Sequence, residues 1–326
     1  MAGGDVIMVT GACGAIGGHV VRRLDRLGHR VVAFDQIGPS RAIASLDGRV
    51  PLVIGHVDDL GSILDAVRAH RVTRIIHLAR VASPLNDEHP GSLYQVDFGG
   101  SVNVLEAARL AGVARAALAS SYNIYPRATE PPHGHPTYAP VAEEHPPAPG
   151  RPYAIFKWAM EQVALTYARR FDLEVAMVRF STYYGPERAI RRGTRAADVL
   201  NRMILNALEG QPTVVPQGGD QGFDAVYVKD CAQGAVAACL APSVPSRIYN
   251  IGSGAAVTLR DAAQAVRRLV PGAQIEVGPG LEFNPGFGGH YIILDISRAR
   301  REIGYAPEFD LTRGIADCME ELRTML

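Results

Sequence analysis

The chain alternates between two periods. Apolar runs of strand length (DVIMVT, RVVAFD, PLVIG, RIIHLA, ARAALAS, EVAMVRF) are separated by segments whose apolar residues recur every three or four positions, such as AIGGHVVRRLDRL, GSILDAVRAH and YAIFKWAMEQVALTYARRF. Strands that alternate with helices in this way fold as parallel strands joined by helical crossovers. The pattern predicts an α/β fold with a doubly wound parallel sheet of six or seven strands. Near Thr182 the rhythm changes to short strands (PTVVP, DAVYV, RIYNIG) mixed with helices (AADVLNRMILNALEG, TLRDAAQAVRRLV). Residues 1–181 are therefore expected to form the main domain, and 182–326 a smaller mixed α/β lobe interleaved with it.

Composition narrows the classes of partner. Lys plus Arg and Asp plus Glu both number 33, so no overall field draws the chain to nucleic acid or to an anionic membrane. Specificity has to come from a site. Cys13, Cys231, Cys239 and Cys318 are scattered without a C-x-x-C pair, which suggests neither a zinc cage nor a disulfide framework. The opening MAGGDVIMVTG lacks a basic stretch ahead of an apolar core, and nowhere do 18 apolar residues run together. A cytoplasmic location is the expectation. Between Tyr125 and Tyr153 nine prolines crowd into a loop, 126–152, that suits neither helix nor inner strand. Its His133 and His135 have no carboxylate or cysteine at ligand spacing, so no metal is expected.

The first junction reads TGACGAIGG, directly after the run VIMV. Gly11, Gly14 and Gly17 fall at a strand-to-helix turn, where backbone can approach a pyrophosphate and helix amides face the anion. Asp35 ends the second run, RVVAFD, about 20 residues beyond the last glycine, the distance at which a carboxylate takes the hydroxyls of an adenine ribose. Such a carboxylate repels a 2′-phosphate, which favours NAD over NADP.

Further along, RPYAIFKWAME places Tyr153 and Lys157 four residues apart on one helix face. A lysine beside a tyrosine favours the phenolate by opposite charge. SSYNIY, Ser120 to Tyr125, closes the preceding strand, in a sheet whose ligands gather at the carboxyl ends. Ser121 can then hydrogen-bond the same substrate oxygen with which Tyr153 exchanges a proton.

With these elements in order, the sequence resembles the extended short-chain dehydrogenase/reductase family of nucleotide-sugar epimerases and dehydratases, over nearly the whole chain. TGACGAIG matches its glycine motif, HLA its fourth-strand motif, SSYNIY and PYAIFK its catalytic motifs, and VRFSTYYGP, VYVKD and YNIGSG later landmarks. The resemblance implies a Rossmann fold, bound NAD and hydride transfer, with Ser121, Tyr153 and Lys157 as polariser, acid/base and ribose-holding modulator. The implied cofactor contacts are Gly11, Gly14, Ala15, Ile16 and Gly17, then Asp35 and Gln36, His56 and Val57, Leu78, Ala79 and Arg80, Tyr153, Lys157 and Phe180. It also implies a homodimer.

Departures from the family pattern bear on substrate. Where related dehydratases carry an Asp-Glu pair after the catalytic Ser or Thr, this chain has Tyr122-Asn123, which argues against dehydration. Thr182 and Phe223 stand where an Asn and an Arg contact the diphosphate in nucleotide-sugar enzymes. Losing that guanidinium removes a charge-assisted bond of on the order of 1.5–3 kcal/mol and leaves a greasy surface facing a dianion. The basic stretch ERAIRRGTRAAD, with Arg188, Arg191, Arg192 and Arg195, offers compensation or a solvated charge run. His56 replaces an adenine-contacting aspartate, Asp97 an asparagine, and Arg80 a small residue near the nicotinamide end. Arg80 has three readings: pairing with a substrate carboxylate, pairing with Asp97, or pointing to solvent. Ser83 and Gly193-Thr194 stand where a small-substrate subset of the family has a serine and a Gly-Thr.

The expected substrate contacts are Ser83, Ser121, Tyr122, Asn123, Thr182, Arg192, Thr194 and Phe223. The first expectation is an NAD-dependent oxidoreductase or epimerase acting on a secondary alcohol of a small sugar-like or hydroxy-acid-like molecule. A nucleotide-sugar 4-epimerase with an atypical diphosphate site is the alternative, and a non-catalytic NAD-sensing module the third reading. The cofactor expectation is testable by equilibrium titration: NAD should bind more tightly than NADP, and Asp35→Ala should narrow the gap. Equal dissociation constants in the unmodified protein would contradict it.

Overall fold

The computed structural model describes residues 4–46, 48–81, 90–190, 197–283 and 291–326. Among them eleven strands follow in chain order: β1 (Val6–Thr10), β2 (Arg30–Asp35), β3 (Leu52–Ile54), β4 (Arg74–His77), β5 (Arg115–Ser121), β6 (Glu174–Phe180), β7 (Thr182–Tyr184), β8 (Thr213–Val215), β9 (Ala225–Tyr227), β10 (Ile248–Ile251) and β11 (Ile275–Val277). Seven make one sheet in the order β10-β6-β5-β4-β1-β2-β3, every pair parallel. The order reverses between β1 and β4, and at such a switch point the loops at the carboxyl ends diverge to leave a crevice.

Helices cover both faces. Ala15–Arg26 and Val228–Leu240 pack on one, and Leu60–His70, Gly100–Ala111 and Pro152–Phe171 on the other. This is why β1 is buried at every position and reads as an unbroken apolar run. Local chemistry sets the helix limits. Asp59 caps Leu60–His70 by accepting the Gly61 N–H at 2.9 Å. The helix Pro152–Phe171 begins on a proline, whose missing N–H no helix start needs, and ends where Asp172 turns left-handed at φ 55°. In the second half, β7 pairs with β9 and β8 with β11 over a separate apolar core that includes Met203, Ile204, Val266 and Leu322. β10, although it falls between β9 and β11 in the chain, returns to the main sheet beside β6. No helix of the described residues is long and apolar enough to cross a membrane.

The proline-rich loop is tied down at its middle. Val141 exchanges backbone bonds with the segment 293–295, donating to the Ile293 carbonyl at 2.8 Å and accepting from the Asp295 N–H at 3.0 Å. Tyr138, at φ 48°, accepts the Gly222 N–H at 2.9 Å and the Gln221 Nε2–H at 2.8 Å on its hydroxyl. Its ring covers Gly222 so closely that a Cβ there would sit 2.8 Å from the ring edge. His133 donates from Nδ1 to the Ala139 carbonyl at 2.7 Å, a bond within the loop.

One polar group lies deep beneath the carboxyl edge. His77, which ends β4, is fully enclosed, with Nδ1 2.7 Å from the Thr10 hydroxyl and Nε2 3.0 Å from the Ser101 hydroxyl. Ser101 donates its own proton to the Asp97 carbonyl at 2.6 Å, so Nε2 carries the imidazole proton and Nδ1 accepts from Thr10. Asp97 sits in a π-helical stretch, Leu93–Gly99, that this bond helps to hold. Burial, and then the nearby charge of Lys157, push the His77 pKa down to about 3 from an ordinary 6.5. Between those values the unfolded chain binds a proton that the folded one refuses, so stability is lost as pH falls. Urea denaturation should show this as a slope of about 1.4 kcal/mol per pH unit from a single proton. His77→Asn should lack that component between pH 6.5 and 4, and equal slopes in the two proteins would contradict the assignment.

Candidate active site

At the first turn, glycine is required for two separate reasons. Gly11 has φ 67°, and a Cβ on it would lie 2.7 Å from the Ala79 nitrogen after β4. A Cβ on Gly17 would run into the Gly11 carbonyl oxygen. The glycines let chain pack on chain, which in turn aims the helix Ala15–Arg26 outward from the switch point. Gly14 is its N-cap, with no side-chain cap and no acidic residue in the first turn. The amides of Ala15, Ile16 and Gly17 thus open the helix without intrahelical acceptors, which is a place for an anion.

The other expected cofactor residues lie along the same edge, because all the strands point that way. The Asp35 carboxylate, at the end of β2, accepts the Cys13 N–H at 2.9 Å and the Ile37 N–H at 3.3 Å. It therefore braces the glycine turn as well as facing the edge. Gln36 and His56 are exposed. Val57 is buried against Gly100, and its carbonyl accepts the Asn103 side-chain amide at 3.0 Å. Leu78 and Phe180 are buried at the ends of β4 and β6, and Ala79 abuts Gly11.

Next to this edge stands the face of Pro152–Phe171 that carries Tyr153 and Lys157, with the Lys157 Nζ 5.9 Å from the Tyr153 ring centroid. Lys157 lies 3.6 Å from the Asp97 carboxylate, and both are buried. Asp97 Oδ2 accepts the Val81 N–H at 2.8 Å, while Oδ1 is buried without a hydrogen-bond partner among the described residues. Arg80 lies over the Tyr153 ring, its guanidinium carbon 5.0 Å from the centroid. Burial opposes the Arg80 charge most strongly, yet Tyr153, Asp97 and Tyr183 together outweigh it and hold the guanidinium more firmly protonated than usual. The stack on Tyr153 is an arrangement that none of the three readings for Arg80 named, with Asp97 among the groups that support its charge. Ser121, buried at the end of β5, accepts the Asn123 N–H at 3.2 Å.

Orphaned helix amides, an uncapped helix start free of acid, and an orphaned carboxylate oxygen beside a buried lysine fit a dinucleotide with a diphosphate and ribose hydroxyls. A phenol flanked by two cations can exchange a proton with an alcohol placed at the strand ends.

Other expected substrate residues have partners within the protein. The Tyr122 and Thr182 hydroxyls meet at 2.7 Å, and burial pushes the Tyr122 pKa up to about 12. Phe223 does not present a greasy surface: it is buried edge-on to Phe283 at 5.1 Å, and Phe283 in turn meets Tyr291 at 5.0 Å. An aromatic ring gains by joining such a cluster. Arg188 lies over the Tyr183 ring at 4.6 Å and donates to the Tyr183 carbonyl at 3.2 Å. Ser83, Arg191, Arg192, Gly193, Thr194 and Arg195 lie outside the described residues.

Sequence reasoning gave no role to several residues near the expected site: Thr10, His77 and Ser101 are linked by hydrogen bonds to Asp97, and Glu161 and Arg179 to each other and to Ser120. A charged or polar residue inside an apolar run, such as Arg179 in EVAMVRF or His77 in RIIHLA, was the available signal. Another unexpected group joins His19, Glu187 and Glu321, whose ligand-type atoms lie within 4.8 Å of one another. Arg22 donates to His19 Nδ1 at 2.9 Å, leaving the imidazole proton on Nε2 toward Glu187, and Lys229 pairs with Glu321 at 2.8 Å. The arrangement is that of an ion-pair network.

The chain also compares closely with known proteins. The model of the NAD dependent epimerase/dehydratase family matches residues 7–252. A putative UDP-glucose 4-epimerase of Methanocaldococcus jannaschii is 29% identical over 312 residues, covering 95% of this chain and 96% of the relative. A UDP-N-acetyl-alpha-D-glucosaminuronate decarboxylase of Bacillus cytotoxicus is 30% identical over 271 residues, 80% of this chain and 79% of the relative. Among solved structures, the UDP-glucose 4-epimerase of Thermus thermophilus, in complex with NAD, superposes with a TM-score of 0.80 at 28% identity, over 98% of this chain and 100% of that one. Fold, glycine turn and end-to-end similarity agree: the chain belongs to the NAD-dependent epimerase/dehydratase family.

Proposed function

We propose that this chain is an NAD-dependent epimerase of a UDP-linked sugar. The observation that carries the proposal is the half-buried Tyr153 beside the buried Lys157 at the carboxyl edge, in a chain that aligns over nearly its full length with UDP-glucose 4-epimerases. NAD, when bound, supplies the hydride acceptor. Tyr153 takes the proton of a secondary alcohol as the hydrogen on the same carbon leaves as hydride, and a ketone results. Lys157 and Arg80 supply the positive charge that a phenolate needs. Ser121 holds the oxygen that changes from hydroxyl to carbonyl and back. With the hydride that NAD would supply delivered to the opposite face of the ketone, Tyr153 hands the proton back to the same oxygen and the epimer results. Asp35 holds the adenine ribose. A module that only sensed NAD would need none of the proton-handling groups.

The small, unactivated substrate first expected from the sequence has less support than the nucleotide sugar, because the relatives that cover the whole chain act on UDP sugars by name. One observation still favours it: Phe223 is absorbed into an aromatic cluster where a phosphate-binding cation would stand. Dehydration is disfavoured, since Tyr122 is buried and bonded to Thr182 and offers neither acid nor base.

Incubating the NAD-loaded protein with UDP-glucose or UDP-galactose and following their interconversion tests the proposal. Tyr153→Phe should lower turnover by roughly two to four powers of ten while NAD still binds. If uronates or hydroxy acids are turned over and no UDP sugar shifts the thermal midpoint, the small-substrate reading replaces this one.

A homodimer is part of the proposal. Tyr94, Leu110, Ile155, Trp158 and Phe171 are exposed on the π-helical stretch and on the two neighbouring helices Gly100–Ala111 and Pro152–Phe171. A second copy of the same face would cover them. Light scattering at micromolar concentration should give twice the mass of 34.9 kDa, and a monomer's mass would contradict it.

A further inference from the structure

Tyr153, Lys157 and Glu161 occupy successive i, i+4 positions of the helix Pro152–Phe171 and so share one face. The first two reach the carboxyl edge. Glu161 lies one turn deeper, with none of its surface exposed. Its Oε1 accepts the Ser120 hydroxyl at 2.5 Å and Arg179 Nε at 2.9 Å, and its Oε2 accepts Arg179 Nη2 at 2.7 Å. Ser120 and Arg179 are cross-strand partners in the β5–β6 register, so one carboxylate ties the helix to two strands at the same level. Arg179 carries the connection on. Its Nη1 donates to the Tyr125 hydroxyl at 2.7 Å and to the Glu143 carbonyl at 3.0 Å, and Tyr125 donates to Asn250 Oδ1 on β10 at 2.8 Å.

A buried ion pair is weak evidence for stability, since well-packed apolar side chains often serve as well or better. What the pair and its serine supply here is registration. Ser121 follows Ser120 directly, so the anchoring of the Ser120 hydroxyl on the helix sets where Ser121 stands relative to Tyr153. We infer that Glu161 is a positioning residue: through Ser120 it fixes the spacing between Ser121 and Tyr153 on which proton exchange with one substrate oxygen depends. The inference rests on the roles proposed above for Ser121 and Tyr153. Neither Glu161 nor Ser120 touches substrate.

Ser120→Ala removes one bond and leaves the ion pair in place. Turnover of the UDP sugar should fall roughly ten- to hundred-fold, the scale of a misplacement of about 1 Å, with KM, NAD affinity and thermal midpoint unchanged. Ser120→Thr, which keeps the hydroxyl, should restore it. Glu161→Gln alone would leave the Arg179 charge buried without its counter-ion, so the carboxylate is tested by Glu161→Met combined with Arg179→Met. That double variant should fold and bind NAD, yet remain slow.

A second readout needs no substrate. Amide hydrogen exchange in the first hydrogen-bonded turns of the helix, residues 155–161 of the NAD-loaded protein, should quicken about ten-fold in Ser120→Ala as local opening becomes easier. Normal turnover and normal exchange in both variants would overturn the inference, as would a loss of turnover that only tracks a fall in thermal midpoint. Faster exchange in a protein whose unmodified form turns over no UDP sugar would remove the proposed function and leave the registration standing.

Discussion

Where β1 gives way to the first helix, backbone meets backbone. Gly11 lies so near Ala79 that no side chain fits between them, and this contact brings the turns after β1 and β4 into register. On one side it aims the uncapped helix start Ala15–Gly17 across the switch point. On the other it determines where the next residue after Ala79 emerges, and that residue is Arg80, stacked on Tyr153. The proposed cofactor cradle and the proposed acid/base group are thereby referenced to the same few atoms. A substitution at Gly11 would disturb both together, since their separation is carried by one van der Waals contact.

Charge around Tyr153 is balanced over a short range. Lys157 is the nearest cation on its own helix, but the wholly buried Asp97 stands 3.6 Å from it, and an ion pair at such a distance leaves little net field outside. Arg80 adds a second positive charge from a different element. Two cations and one anion thus stand by the phenol. His77, neutral and enclosed, anchors the π-helical stretch from which Asp97 projects without adding to this balance.

Much of this architecture is legible in the sequence because parallel strands covered on both faces admit few polar residues. Runs such as VIMVT and EVAMVRF therefore stand out, and in a parallel sheet every strand end lies on the same edge, which places Gly11, Asp35, His56, Leu78, Ser121 and Phe180 together. Pairings across long separations are not legible. The spacing puts Glu161 on the face of Tyr153 and Lys157, but Ser120 and Glu161 are 41 residues apart, and nothing in a one-dimensional pattern pairs them. Phe223 and Tyr122 mark a second boundary. Their departures from the family pattern show in the sequence, but only packing reveals that each residue is bonded or buried within the protein itself.

The contact between Tyr138 and Gly222 carries a consequence for how such a chain can diverge. The proline-rich loop sets the edge of an aromatic ring against a backbone that has no side chain, one residue before Phe223. Any larger residue at 222 would have to displace the ring, and loss of the ring would strip the Gly222 amide of its acceptor. Positions 84 residues apart thus depend on each other through one contact and one hydrogen bond. The sequence of a long proline-rich loop is thereby coupled to that of the second lobe, so that drift in one becomes selection on the other.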